Sequence, residues 1–414
     1  MKILERTILH CDMNNFYASV ECMLNPELKG HPVAVCGSTA DRHGIVLAKN
    51  YEAKKFNVQT GEVVWQAKQK CKDLIVVQPH YEQYIKYSRL ARDIYNRYTD
   101  LVEPFGMDEC WLDVTGSTQV FGTGYEIADE IRETIKFELG LTISVGVSFN
   151  KIFAKLGSDM KKPDAITVIE KETFKDKIWQ LPASDLLGVG RATIKKLNYY
   201  GIYTIKDLAN APKEFLNKIL GKNGVLLWNY ANGTEQSLVT PNDFEVPIKS
   251  VGHGITTIRD LENNNDVWPV MLELSQDIGT RLRKYQKYAS GIAICVRNNE
   301  LRFKEWQTKL PQQTNSSLYL AKKAYKLFCE NYDWNCDIRS ITVRAINLVS
   351  EQTPQQIDLF SETQNIDKME RLEIVVDKIR ERFGKDIIKN AVLCQDIGMK
   401  SMTAKLTMPT GMCR

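Results

Sequence analysis

The 414-residue chain has ten cysteines but no Cys-x-x-Cys pair, and five histidines but no His-Glu-x-x-His spacing. Neither a zinc pattern nor a disulfide framework is written into it, so the cysteines read as small buried hydrophobes and no histidine is assigned to catalysis. No apolar run approaches the length of a membrane span. Glu5 and Arg6 stand where a signal peptide would need apolar residues, so a cytoplasmic protein with no membrane partner is expected. Internal repeats and low-complexity tracts are also missing. A net charge of +4 is unremarkable as a total, but acid exceeds base over residues 1–170 and base exceeds acid over 171–350. That division suits a metal-binding domain followed by modules that grip phosphates, and charge alone fits solvated surfaces equally well.

The length suggests two to four domains, and a hydrophobic content of 43% is enough to bury several cores. Residues 7–13 form an apolar run ending in an acid, which reads as a buried strand delivering Asp12 to its end. A helix through Phe16 and Val20 follows. Short strands and helical stretches over about 23–76 read as an insertion, followed by a long helix at 81–98. Strands at 102–105 and 110–114 flank Gly106-Met107-Asp108-Glu109 as a tight hairpin. Tyr125, Ala128, Ile131, Ile135 and Leu139 mark an amphipathic helix, and 143–147 another strand. This order predicts a split ferredoxin-like sheet with helices on one face. Residues 171–235 read as a basic helical module. Residues 242–350 read as an α+β domain with helices near 267–285 and 318–328 and strands at 291–297 and 338–348. Beyond a polar linker, the tail to 414 carries an amphipathic helix with Ile366, Met369, Leu372, Val376 and Ile379 on its apolar face.

Two-metal phosphoryl transfer needs a pair of divalent ions held by converging carboxylates. Adjacent residues on a regular strand point to opposite faces, so Asp108 and Glu109 can serve one site only at a turn or strand end. The sheet topology brings Asp12 to that hairpin.

Asp12-Met-Asn-Asn-Phe-Tyr-Ala-Ser-Val-Glu21 resembles the opening motif of Y-family DNA polymerases, and Phe105-Gly-Met-Asp-Glu-Cys-Trp-Leu-Asp113 their second metal motif. Asn50-Tyr-Glu-Ala-Lys-Lys-Phe-Asn-Val58 is similar to the fingers motif, and Gly146 to Pro163 to the last palm motif. The blocks occur in the family's order. The resemblance implies an α+β right-hand polymerase with a ferredoxin-like palm (1–170), small inserted fingers (about 23–76), a helical thumb (171–235) and an α+β little finger (242–350). It also implies low-fidelity, template-directed synthesis past damaged bases, using two Mg2+ ions. By it, Asp12, Asp108 and Glu109 are the catalytic carboxylates, with the Met13 carbonyl completing the metal shell. Phe16, Tyr17, Tyr51, Lys54 and Lys162 would bind the nucleotide, Tyr17 as the steric gate beneath the sugar. Three positions depart from the usual pattern: Asn14 for a second acid, Lys54 for an arginine, and Leu47 for a smaller residue.

Leu186 to Leu197 resembles a helix-hairpin-helix. Gly188, Gly190 and Lys195 are its candidate DNA contacts, and a plain interhelical turn is the alternative. In the little finger, Arg283 and Arg297 are candidate DNA contacts. Gln356-Ile-Asp-Leu-Phe360 resembles the bacterial sliding-clamp-binding peptide, with Gln356, Leu359 and Phe360 as anchors. The partners implied are primer-template DNA, dNTPs and the clamp, bound by a monomer. A nucleotidyl cyclase shares this palm topology and its acids, but would leave the basic modules and the peptide unexplained. A non-catalytic DNA-binding scaffold would not need all three acids.

Overall fold

The computed structural model describes residues 5–40, 42–354 and 363–394. They form two compact units, residues 5–37 with 45–246, and residues 38–44 with 247 onward.

The first unit begins with β1 (Ile8–Met13) and α1 (Phe16–Leu24). An insertion follows: β2 (Val33–Cys36), β3 (Val46–Lys49), α2 (Tyr51–Lys55), α3 (Val64–Lys70) and β4 (Ile75–Val77). Then come α4 (Tyr81–Tyr95), β5 (Val102–Pro104), β6 (Glu109–Asp113), α5 (Thr118–Phe121), α6 (Gly124–Leu139), β7 (Ile143–Ser148), α7 (Lys151–Met160) and β8 (Ile166–Ile169). The main sheet is ordered β5-β6-β1-β7-β8. Its first four strands have the split ferredoxin order, and β8 adds a parallel strand beside β7.

Alternation along β1 sends His10 and Asp12 to one face and Leu9 and Cys11 to the other. On the Leu9 side lies α6, with Ile127, Ile131 and Ile135 fully buried. A Thr123–Glu126 capping box starts this helix and a left-handed Gly140 ends it. Contrary to the expectation of helices on a single face, α7 covers the His10 side. The reason is Gly146 on β7, where a Cβ would run into the Ala154 carbonyl oxygen, so only glycine lets the α7 backbone lie that close.

The insertion forms a small sheet, β3-β2-β4, over its own core of Ala34, Cys36, Val46, Ala53, Val64 and Ala67. The helical module is α8 (Phe174–Ile178), α9 (Arg191–Tyr199), α10 (Ile205–Asn210), α11 (Lys213–Leu220) and α12 (Lys222–Ala231). Its core is continuous with Ile152, Phe153 and Leu156 of α7.

The second unit contains β9 (Ser250–Leu261), α13 (Asn264–Lys284), β10 (Lys287–Asn298), β11 (Phe303–Thr314), α14 (Ser317–Asn331), β12 (Ile338–Ser350) and α15 (Thr363–Phe383). Its sheet is ordered β11-β10-β12-β9. Val270, Leu274, Ile278 and Leu282 of α13 enter the core as their spacing predicts. The tail helix departs from its reading: Ile366 is buried, but Leu372 is 63% exposed. Polar residues face inward instead. Glu373 accepts the backbone N–H groups of Ser317 and Leu318 at the start of α14, and Glu370 accepts that of Asn315. A helix N-terminus and a buried arginine require anions more strongly than this surface requires leucine.

Candidate active site

Asp12 and Glu109 are direct partners in the β1–β6 register, and the Met13 N–H donates to the Asp108 carbonyl at 3.0 Å. The three acids therefore meet at one sheet edge, in the loop that Gly106 turns with φ 98°. Their electrostatics are unequal. Burial, partly offset by Lys162, lifts the Asp12 carboxyl to about 6. Burial together with the charges of Asp12 and Glu109 lifts Asp108 to about 7. Burial would raise Glu109 as well, but His10 and Lys155 outweigh it and hold the carboxyl at about 2.

Cations stand against two of the acids. Lys155 contacts Glu109, and Lys162 Nζ lies 2.7 Å from Asp12 Oδ2 and 2.9 Å from Asp159. Asp108 forms no ion pair among the described residues, and none of their His, Cys, Asp or Glu side chains form a ready-made cage of three. The excess negative charge at Asp12 and Asp108 is nonetheless what a divalent cation relieves, so the donor set fits such an ion.

Around this edge lie the other expected residues. The α1 helix starts at Phe16, just past Asn15 in the left-handed region, and Asn15 makes no side-chain cap. The Tyr51 hydroxyl feels both Lys162 and Asp12, and Lys54 Nζ lies 5.6 Å from the Tyr51 ring centroid. Tyr17 stacks on Tyr84, with centroids 4.2 Å apart and an angle of 9°, and its hydroxyl donates to Met107 Sδ at 3.3 Å. Asn14 is structural: its amide donates to Ser144 Oγ, and its carbonyl accepts the Asp164 N–H.

The residues the sequence reading missed are those that hold the named ones. Tyr84 is fully buried and donates its hydroxyl to Glu21. His10, also fully buried, lies between Ser158 and Glu109. Lys155 had a readable signal, since it follows Lys151 by one helical turn on the face that meets the sheet.

Two family models cover the chain: the impB/mucB/samB family over residues 11–159 and the impB/mucB/samB family C-terminal domain over 248–359. DNA polymerase IV of Acetivibrio thermocellus is 53% identical over 396 residues, which is 96% of this chain and 99% of that protein. DNA polymerase IV 1 of Bacillus subtilis is 37% identical over 93% of this chain and 92% of that protein. A solved Y-family DNA polymerase chimera superposes with a TM-score of 0.75 at 26% identity, covering 83% of this chain and 99% of its own.

The chain belongs to the Y family of DNA polymerases. It is a DNA-directed DNA polymerase of the DNA polymerase IV type, with the α+β fold of that family.

Beyond the acids, the polymerase presents its DNA-contact candidates unevenly. Gly188 has φ 91° and Gly190 starts α9 without a side-chain cap, leaving that N-terminus open, and Lys195 is exposed on the same helix. Arg297 extends from β10, with its guanidinium 5.0 Å from the Phe303 ring centroid. Arg283 does not fit a DNA contact. Its guanidinium is nearly buried and paired with Glu373 at 2.7 Å and Asp377 at 2.6 Å, because the tail helix claims it. Gln356, Leu359 and Phe360 lie outside the described residues.

Proposed function

We propose that this polymerase extends a primer past damaged template bases with low fidelity, using two Mg2+ ions held by Asp12, Asp108, Glu109 and the Met13 carbonyl. The observation that carries the reading is the meeting of three acids at one sheet edge, with Asp12 and Asp108 held well above the ordinary carboxylate range. When bound, the ions would lower the pKa of the primer hydroxyl and brace the leaving pyrophosphate.

The chain's own residues do the rest. Lys162 exchanges Asp12 for the incoming triphosphate, whose charge it shares with Lys54, the Tyr51 hydroxyl and the backbone N–H groups of Phe16 and Tyr17. The Tyr17 ring, backed by Tyr84, excludes a 2′-hydroxyl. Gly188, Gly190 and Lys195 grip backbone phosphates, as does Arg297 on the second unit. Arg283 is left out of this set. The peptide Gln356 to Phe360 tethers the enzyme, as a monomer, to a bacterial sliding clamp.

Primer extension with each single dNTP on intact and damaged templates tests the reading. Asp108→Ala or Glu109→Ala should abolish extension while primer-template binding persists. Near-normal extension by either variant would refute the metal assignment, and cyclic nucleotide formation without a template would favour a cyclase.

A further inference from the structure

The segment leading from α12 to β9 lies on the main sheet through four anchors. Arg6 donates to the Ser237 carbonyl at 3.0 Å, and the Asn242 N–H donates to the Asp100 carbonyl at 3.0 Å. Between them, Val239 is buried in a small apolar cluster with Ile8, Trp111 and Ala154. Next to it, the Thr240 N–H donates to Glu103 Oε2 at 3.0 Å.

Glu103 is no ordinary acceptor. Both of its oxygens lie 2.7 Å from Lys151 Nζ, and both residues of this pair are buried. An ion pair taken out of water needs further hydrogen bonds on its remaining lone pairs. One of these comes from the backbone of the connecting segment.

From this pair, contacts run on to the acid at the sheet edge. Lys151 Nζ stands 4.6 Å from the Trp111 ring centroid, and the indole N–H donates to the Lys151 carbonyl at 2.8 Å. The Trp111 ring meets His10 edge-on, with centroids 5.2 Å apart. His10 Nδ1 lies 2.8 Å from Ser158 Oγ, and Nε2 lies 3.2 Å from Glu109 Oε2. Every side chain between Thr240 and Glu109 is buried, so none has room to settle independently.

We propose that Val239 and Thr240 are positioning residues for cation binding at Glu109, acting through Glu103, Lys151, Trp111 and His10. This rests on the reading of Glu109 as a ligand of a divalent ion. The segment that connects the two units then adjusts how well the catalytic carboxylate is presented. A shift of the segment that withdraws the Thr240 donor leaves Glu103 short of one partner and its pair with Lys151 less firmly held, and Trp111 and His10 follow.

The test is Mn2+ binding to the full chain, followed by electron paramagnetic resonance, in complex with a dideoxy-terminated primer-template and its matching dNTP. Thr240→Pro removes the donor, along with the hydroxyl and some backbone freedom at Val239 and Thr240, and Val239→Ala independently removes packing without touching a hydrogen bond. Either should weaken the Glu109-dependent Mn2+ site by about three- to tenfold, less than loss of a side chain hydrogen-bonded directly to a metal ligand. Primer-template affinity should stay within about twofold, and the extension rate should recover at high Mn2+. Unchanged Mn2+ affinity in both variants would overturn the proposal, as would a matching loss of DNA affinity. Glu109→Gln is the control: if it leaves Mn2+ binding intact, the metal reading itself fails instead.

Discussion

Lys162 and Asp12 are 150 residues apart in sequence, yet Nζ and Oδ2 stand 2.7 Å apart. The pair joins the end of the first strand to the loop that follows α7. On the proposed reading, it also fills the place where both a metal and a triphosphate would claim a charge. The carboxylates of Asp12 and Asp159 outweigh burial and hold the ammonium firmly protonated, so Lys162 is a fixed cation in this pocket.

Replacing Lys162 with methionine removes that charge and keeps most of the volume. The KM for dNTP should rise by roughly tenfold or more, the usual scale for a lost hydrogen bond to a charged group. Steady-state extension on an undamaged template measures it. An unchanged KM would confine Lys162 to its contact with Asp12.

Without metal, Asp12 and Asp108 make stability depend on pH. Both are raised in the folded chain, to about 6 and about 7, from an ordinary value of 3.8. Protonated carboxyls cost little to bury, so their stabilising contribution is complete below about pH 4 and is lost as pH rises through about 6 to 7. Asp108→Asn should therefore raise Tm in chelator at about pH 8 and leave it nearly unchanged at about pH 4. Millimolar Mg2+ should raise the wild-type Tm at the higher pH and do much less for the variant. Equal Tm shifts at both pH values would contradict this account.

Tyr17→Ala should admit ribonucleotides, because the ring held against Tyr84 is then gone. Single-turnover incorporation of rNTP against dNTP measures the discrimination. If the ratio is unchanged, another side chain is the gate.

Leu359→Ala combined with Phe360→Ala should abolish stimulation by the sliding clamp and leave extension without the clamp intact. If both side chains are buried anchors, clamp binding should weaken by about 2 kcal/mol or more. Titrating the clamp against wild type and the double variant is the check, and equal stimulation would make the peptide's likeness accidental.

The parts legible in the sequence are those whose local pattern survives into three dimensions. An apolar run ending in Asp12 could hardly be anything but a buried strand, and Val270, Leu274, Ile278 and Leu282 share a helix face wherever that helix lies. Two long strands left no such pattern. In β9, Gly252 and Gly254 interrupt the alternation, while β11 carries Pro311 and charges, which an edge strand tolerates. Leu372 and Arg283 misled for one shared reason. Their environment is decided by the buried start of α14, which needs the carboxylate of Glu373, and no window of sequence around either residue reveals that need. The second covered face of the main sheet was hidden in Gly146, whose missing side chain has meaning only once α7 lies against it.

That same helix limits how the chain can be dissected or recombined. One side of α7 meets the sheet through Lys151, Lys155 and Ser158, and the other gives Ile152, Phe153 and Leu156 to the core of the helical module. A cut near residue 170, where the sequence suggests a border, leaves the front fragment with a bare aromatic face and the rear fragment without a wall. The two parts share one core. A graft that exchanges the helical module between relatives must carry α7 with it, and then must also match the glycine on β7 against which α7 lies.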